Sequence, residues 1–473
     1  MTPALRPFRF IRDEYVRAYR GLPRRAWILF AVNLVNSSGA MVFFFLSLYL
    51  TRKIGLTTAR AGQVLSLYGV GSLVGAVSGG WLADRLGSIR VQKMSLAMAG
   101  ILLIVLGQAR TVAGIMPLLF AMALFAGMLY PANATSMSKI CPPDLQVKGF
   151  ALNRLANNLG ATIGPAVGGV LAMRDYGLLF WADGLTSLAA AAVFALLWRG
   201  ARAGAERAGA ERTSGAKADG LPASEKSIPG ETGKTGELGR AVASPARDTS
   251  TYMSPKARSP WRDIPFLLMM VIFFVWSVVF IQVLTTFPLY MRNVYGLAEN
   301  RIGQLYAVNT VMIVFLEMIL MEKIRKYSQA LMINISFVLL GVGMVMMPLG
   351  RGFAFGALTV AVWTFGEMLS MPLVTALIAG RADDSNRGRY MGLNSFAFSL
   401  AFIVAPVVGT AIYDGLGPDA VWYVCAATCL VITVAFSALR PYLNGVARIS
   451  MGSDHSKYKN INKLAQKSAS IRP

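Results

Sequence analysis

Residues 48–63 read LYLTRKIGLTTARAGQ, and residues 289–304 read LYMRNVYGLAENRIGQ. Leu48-Tyr49 matches Leu289-Tyr290, Gly55-Leu56 matches Gly296-Leu297, Arg60 matches Arg301, and Gly62-Gln63 matches Gly303-Gln304. That is seven of sixteen positions without a gap, at an offset of 241 residues. The same offset carries Pro131 onto Pro372, Leu152-Asn153 onto Leu393-Asn394, Pro165 onto Pro406 and Gly168 onto Gly409. A register kept over that distance predicts two structurally equivalent halves. In a strongly apolar chain, two such halves predict a secondary transporter with its substrate path at the pseudo-symmetry interface.

Composition places those halves in a membrane. Hydrophobic residues make up 55 % of the chain, charged residues 15 %, and mean hydropathy is +0.53. A helix rises about 1.5 Å per residue, so a hydrocarbon core of roughly 30 Å takes about 20 apolar residues. Twelve stretches qualify: 26–50, 61–83, 94–109, 112–136, 149–173 and 177–198, then 264–291, 300–322, 329–349, 354–380, 391–413 and 418–440. The fold class predicted is an all-α membrane protein of twelve transmembrane helices in two six-helix bundles, 26–198 and 264–440.

The net charge of +23 is distributed by side. With the N-terminus inside and the side alternating at each span, inner segments hold 38 Lys or Arg and outer loops hold 8. That asymmetry follows the positive-inside rule and predicts both termini in the cytoplasm. The excess is thus a topology signal, aided by attraction to membrane lipid headgroups. No aromatic-interleaved basic patch supports nucleic-acid binding. The basic arm over 1–25 precedes a span long enough to cross the bilayer, so it reads as a surface helix rather than a cleaved signal. Residues 199–263, rich in Ala, Gly, Ser, Pro and charge, read as a flexible cytoplasmic linker, and 441–473 as a polar basic tail. Three cysteines (Cys141, Cys425, Cys429) and one histidine, His455 in the tail, leave no basis for a metal site or thiol chemistry. No cofactor, metal or catalytic group is expected, and no Walker lysine loop suggests ATP hydrolysis.

The second span ends Gly80-Trp81-Leu82-Ala83-Asp84-Arg85-Leu86-Gly87, with Arg90 and Lys93 beyond. The fifth carries Gly160-x3-Gly164-Pro165-x2-Gly168-Gly169. The span-two motif resembles the helix 2–3 loop signature of the major facilitator superfamily. The glycine motif is similar to the helix-5 motif of its bacterial drug:proton antiporter-like exporters, and the resemblance covers residues 26–440. It implies a monomeric, multi-pass protein of the bacterial inner membrane that moves a small molecule by alternating access. It also implies that the Asp84 cluster latches the bundles on the cytoplasmic side when the protein opens outward, with Arg387 and Arg389 as partners. The basic residues usual after Gly87 are replaced by Ser88-Ile89, and the second-half equivalent from Glu322 to Lys326 has lost the pattern.

Read from the residues, Asp84 leaves the membrane where it can face a helix N-terminus or pair with Arg85 or Arg90. Small residues at four-residue spacing in span five let helices approach closely, and a gate there is compatible with that packing. Intramembrane carboxylates are expensive and must carry a proton or pair with a cation. Glu367, near the middle of span ten, is therefore the first proton-coupling candidate and Glu317, in span eight, the second. Asp183, in span six, reads as structural. Helices 1, 4, 7 and 10 line the cavity in the superfamily. By that resemblance the substrate cavity would be lined by Asn33, Asn36, Tyr130, Asn133, Gln282, Thr285, Trp363 and Glu367, with Arg154 and Asn157 of span five reaching it from inside. Ser37, Asn158 and Thr286 add neutral polar groups beside them. Span four lacks the arginine motif tied to proton coupling in drug exporters. Three functions are therefore carried: proton-coupled export of amphipathic compounds, transport of a narrower metabolite (sugar, peptide or siderophore), and a non-transporting sensor or scaffold.

Overall fold

Gly55 and Gly296, paired by the sequence repeat, adopt the same left-handed backbone, φ 80° and φ 68°. The hydrogen bonds around them match as well. Leu56 N donates to Leu50 O and Leu297 N to Met291 O, each at 3.0 Å; Ile54 N donates to Tyr49 O at 3.1 Å and Tyr295 N to Tyr290 O at 3.3 Å. Only glycine takes this conformation without a steric penalty, so the repeated Gly-Leu marks one turn built twice.

The computed structural model describes residues 19, 21–142, 145–218, 259–382 and 386–469, of which 147, 201–218, 387 and 444–469 by backbone alone. Among these residues every regular element is helical. The first half holds α1 (Arg24–Lys53), α2 (Thr58–Leu82), α3 (Ser88–Leu106), α4 (Val112–Ile140), α5 (Gln146–Arg174) and α6 (Gly177–Ala218). The second holds α7 (Ile264–Thr285, followed by the short helix Phe287–Asn293), α8 (Glu299–Ile324), α9 (Gln329–Met346), α10 (Phe353–Arg381), α11 (Arg387–Gly415) and α12 (Pro418–Ala469). Ten helical runs are long and apolar enough to cross a membrane. One of them, Thr58–Leu106, is two spans joined through the wide turn Ala83–Gly87. α5 is missing from the ten, but its 29 residues are long enough to cross; its Arg, Asn and Gly content lowers its hydropathy. Twelve spans result.

The main helix pairings of one half recur in the other. α1 packs on α5 and α6, α2 on α4, and α3 on α4 and α6; α7 packs on α11 and α12, α8 on α10, and α9 on α10 and α12. The two most extensive pairings between halves, α2–α11 and α5–α8, are related by the repeat, and a smaller α1–α7 contact lies between them. Large apolar side chains such as Val77, Leu196 and Val434 remain more than 60 % exposed, as expected of surfaces that face lipid.

Three sequence boundaries move. The third helix begins at Ser88, not 94, so that Arg90 and Lys93 lie on its first turns, Lys93 Nζ 5.6 Å over the Phe194 ring. The backbone of α6 runs to Ala218, about twenty residues into the expected linker, where Ala, Glu and Arg are strong helix formers. α12 likewise continues through the expected tail to Ala469. Most of the basic arm, and linker residues 219–258, lie outside the described residues.

Candidate functional site

The halves touch at the face opposite the chain termini. Glu299, at the start of α8 and only 6 % exposed, accepts from Tyr176 Oη at 2.8 Å and lies 3.7 Å from both Arg52 and Arg292. Burial, then the Glu299 carboxylate, push the Tyr176 phenol above its ordinary value, so it acts as a neutral donor. Across the pseudo-symmetry axis, Asp414 at the end of α11 accepts from Ala59 N at 2.7 Å, in the first turn of α2. Between these contacts the backbones nearly meet. A Cβ on Gly62 would lie 2.6 Å from Pro406 O, and one on Gly303 would lie 2.2 Å from Pro165 O. The repeated Gly and repeated Pro thus pack against each other crosswise.

Among the described residues the terminus face is open. Nothing lies within 4 Å of a Cβ placed on Gly80, Gly388 or Gly392. Asp84 is exposed and pairs with no described cation, while Arg85 lies 4.0 Å over the Trp81 ring. Gly87, φ 89°, makes the turn into α3, with Arg90 exposed beyond it. A cavity of about 500 Å3 opens here between α5, α8 and α10.

Two of the charged candidates, Arg154 and Glu317, line that cavity. Arg154 of the first half reaches across to Glu317 of the second, in a direct ion pair that also counts as a hydrogen bond. Arg154 is 45 % exposed and Glu317 13 %, so the pair sits at the cavity wall, open on the Arg154 side. Behind it, Glu367 accepts from Asn309 Nδ2 at 2.8 Å, and the same amide donates to Thr364 Oγ1 at 3.0 Å. Asn309 is two turns from Glu317 on α8 and tethers α10 to it. Sequence reasoning misses Asn309; the available signal is its spacing of eight residues from Glu317 on one helix face. Asn157 is exposed beside Arg154 and accepts from Ser37 Oγ at 3.1 Å.

The remaining cavity candidates lie elsewhere. Asn33 and Asn133 are 5 % and 4 % exposed and bond to each other and to Asn153 in a closed ring of amides. Gln92, Ser136 and Ser88 extend that ring, tying α1, α3, α4 and α5 together. Gln282 and Thr285 are buried at the α7–α11 contact, Gln282 Nε2 donating to Ala405 O at 2.8 Å. Trp363 is buried against α9, beside Gly343. Asn36 lines a separate pocket inside the first bundle, and Tyr130 is 73 % exposed on α4. In α5, Gly160, Gly164 and Gly168 face α1: a Cβ on Gly160 would lie 2.4 Å from Ser37 Cβ, and one on Gly168 2.9 Å from Met41 Cβ. Gly169 and Pro165 instead face α8, a Cβ on Gly169 lying 2.4 Å from Glu299 O. Close packing accounts for all five.

The family profile described as Major Facilitator Superfamily matches residues 28–383 and 361–460. The Na(+), Li(+), K(+)/H(+) antiporter of Planococcus maritimus is 24 % identical over 392 residues, covering 79 % of this chain and 85 % of that protein. The MFS-type transporter YttB of Bacillus subtilis (strain 168) is 23 % identical over 434 residues, 88 % of this chain and 95 % of that protein. Multidrug resistance protein 1 of the same organism is 29 % identical over 182 residues, 37 % of this chain and 44 % of that protein. Among solved structures, a POT family transporter in complex with a thioalcohol-conjugated peptide superposes with a TM-score of 0.70. It is 15 % identical, and the match covers 90 % of this chain and 98 % of that one.

Proposed function

This chain belongs to the major facilitator superfamily and is a membrane transporter rather than an enzyme, and on that premise we propose that it exports amphipathic compounds by proton-coupled alternating access. The observation that carries the reading is the Arg154–Glu317 ion pair across the two bundles, with Glu367 held behind it by Asn309. Arginine and lysine counts assign the terminus face to the cytoplasm. The open cavity is then the cytoplasmic vestibule, and the Glu299 and Asp414 contacts close the outer side.

An ion pair bridging two moving bodies is a coupling element, because anything that neutralises one partner frees the other. A cationic group on a substrate entering the vestibule competes with Arg154 for Glu317, and a proton on Glu317 does the same. Glu367 lies within one further step, so a proton and a cationic substrate compete for one small set of carboxylates. Competition of this kind suffices for antiport. The antiporter and multidrug-resistance names of the relatives support the direction and the ion. The POT structures, at 15 % identity, share the fold and carry no argument about substrate.

The test is transport by purified protein in proteoliposomes, against a chemically diverse panel and with or without an imposed pH gradient. Uphill movement of lipophilic cations driven by the gradient is the expected result. Gradient-independent movement of a single polar metabolite would replace this reading with the narrower one.

A further inference from the structure

A second polar site lies inside the first bundle, away from the vestibule. α1 is broken: Arg24–Gly39 ends at Ala40, whose ψ of 73° is not helical, and Val42–Leu48 resumes the helix. Asp183 of α6, 7 % exposed, caps the resumed helix, its Oδ2 accepting from Met41 N at 3.2 Å and Val42 N at 3.1 Å. Its other oxygen has no partner among the described residues. Beside it is a cavity of about 230 Å3, lined among others by Asn36, Tyr68, Ser95, Asp183 and Ser187. Ser95 is 1 % exposed, and its hydroxyl has no hydrogen-bond partner among the described residues. No lysine or arginine lines the cavity.

We propose that this cavity binds one alkali-metal cation. A buried carboxylate oxygen, two serine hydroxyls and the Asn36 amide oxygen are hard oxygen donors, the kind such ions take in exchange for water. An unpartnered buried hydroxyl is costly, and an ion ligated by its oxygen offsets part of that cost. One carboxylate balances one positive charge, whereas a divalent ion would leave a net charge in the membrane interior. At roughly 30 Å3 per water, the volume also leaves room for waters that complete the shell. Broken membrane helices are a recurring setting for coupling ions. Phe43, next to the break, lies 4.5 Å from Tyr68 and 5.8 Å from Phe402 of α11 by ring centroids. The ion therefore sits one side chain from the contact between halves.

Binding is read without transport, so its failure and that of the export reading are separable. Full-length protein in detergent is melted in chlorides of lithium, sodium, potassium or choline at equal ionic strength. A saturable rise in Tm with at least one alkali ion, absent with choline, is expected. Asp183→Asn should abolish it. Because Asp183 also caps α1, Ser95→Ala with Ser187→Ala is the second variant; it keeps the cap and should weaken apparent affinity at least roughly tenfold. An equal response to choline overturns the proposal, as does wild-type ion affinity in the serine double variant.

Discussion

Glu367 and Glu317 differ in what holds them, and that difference sets the expected behaviour of each. Glu367 is bonded to Asn309 within its own bundle, while Glu317 is bonded to an arginine from the other bundle. Glu367→Gln keeps an acceptor for Asn309, so folding should change by less than about 1 kcal/mol. It removes the proposed proton site, and uphill pH-driven transport should be abolished while binding of neutral substrates remains measurable. Substrate-dependent proton movement in proteoliposomes checks this; persisting movement would make Glu367 structural and leave Glu317 as the coupling carboxylate. Arg154 and Glu317 should act as one unit. Arg154→Ala and Glu317→Ala should each lower transport at least tenfold, and the double variant should be no worse than the poorer single one, since partners in one pair are non-additive. Losses that multiply would show that the two residues work separately.

At the scale of elements, the contacts between helices were partly legible in the sequence. The repeated Gly62/Gly303 and Pro165/Pro406 were visible as identities, but not that each glycine meets the proline of the opposite half, because a repeat gives equivalence and not contact. Asn33, Asn133, Gln282 and Trp363 sit on the expected cavity helices, yet each turns into its own bundle. The span number of a polar residue does not fix its helical face when its neighbours are apolar all round. The crosswise contacts predict that Gly303→Leu and Gly62→Leu wedge the face opposite the termini apart, because the new Cβ would fall 2.2 Å from Pro165 O and 2.6 Å from Pro406 O respectively. Transport should fall with normal membrane insertion, and introduced cysteines at the outer vestibule should label faster; unchanged labelling would mean that the helices shift to absorb the side chain.

The start of α7 gives a stability prediction. Asp263 accepts both forks of Arg381 at 2.7 Å, Phe266 N at 3.2 Å and Tyr390 Oη at 3.2 Å. Burial pushes this carboxyl up, but the Arg381 fork and the other donors outweigh it, and the net position is below the ordinary 3.8. A lowered folded value means the stabilisation is fully present above the unfolded value and is lost as pH falls through the folded one. Asp263→Ala should therefore cost about 3 kcal/mol of stability at neutral pH, and the gap in Tm from wild type should begin to narrow as pH falls below the ordinary 3.8. A gap that persists unchanged at that acidity would assign the loss to packing.

For the whole molecule, twelve spans followed from hydropathy, while the conformation could not, since one sequence encodes every state of a transport cycle. Among the described residues the structure is closed at the face opposite the termini by Glu299 with Arg52 and Tyr176, and open at the terminus face, where Asp84 stands free of described cations. If Asp84 latches the opposite state, its energy appears only there, and removing it shifts the population toward the conformation seen here. A latch giving about 1.4 kcal/mol of differential stabilisation changes that ratio by about tenfold. Glu299 should act in the other direction, because its contacts hold the two halves together in the present state. Asp84→Asn should thus lose transport with normal insertion and reduce labelling of cysteines introduced on the outer side. Glu299→Gln should raise that labelling above wild type. Opposite shifts from two carboxylates at opposite ends of the molecule are the signature of one equilibrium biased from both sides. Wild-type transport rates in Asp84→Asn would remove the latch from the mechanism and leave the vestibule charges to close it alone.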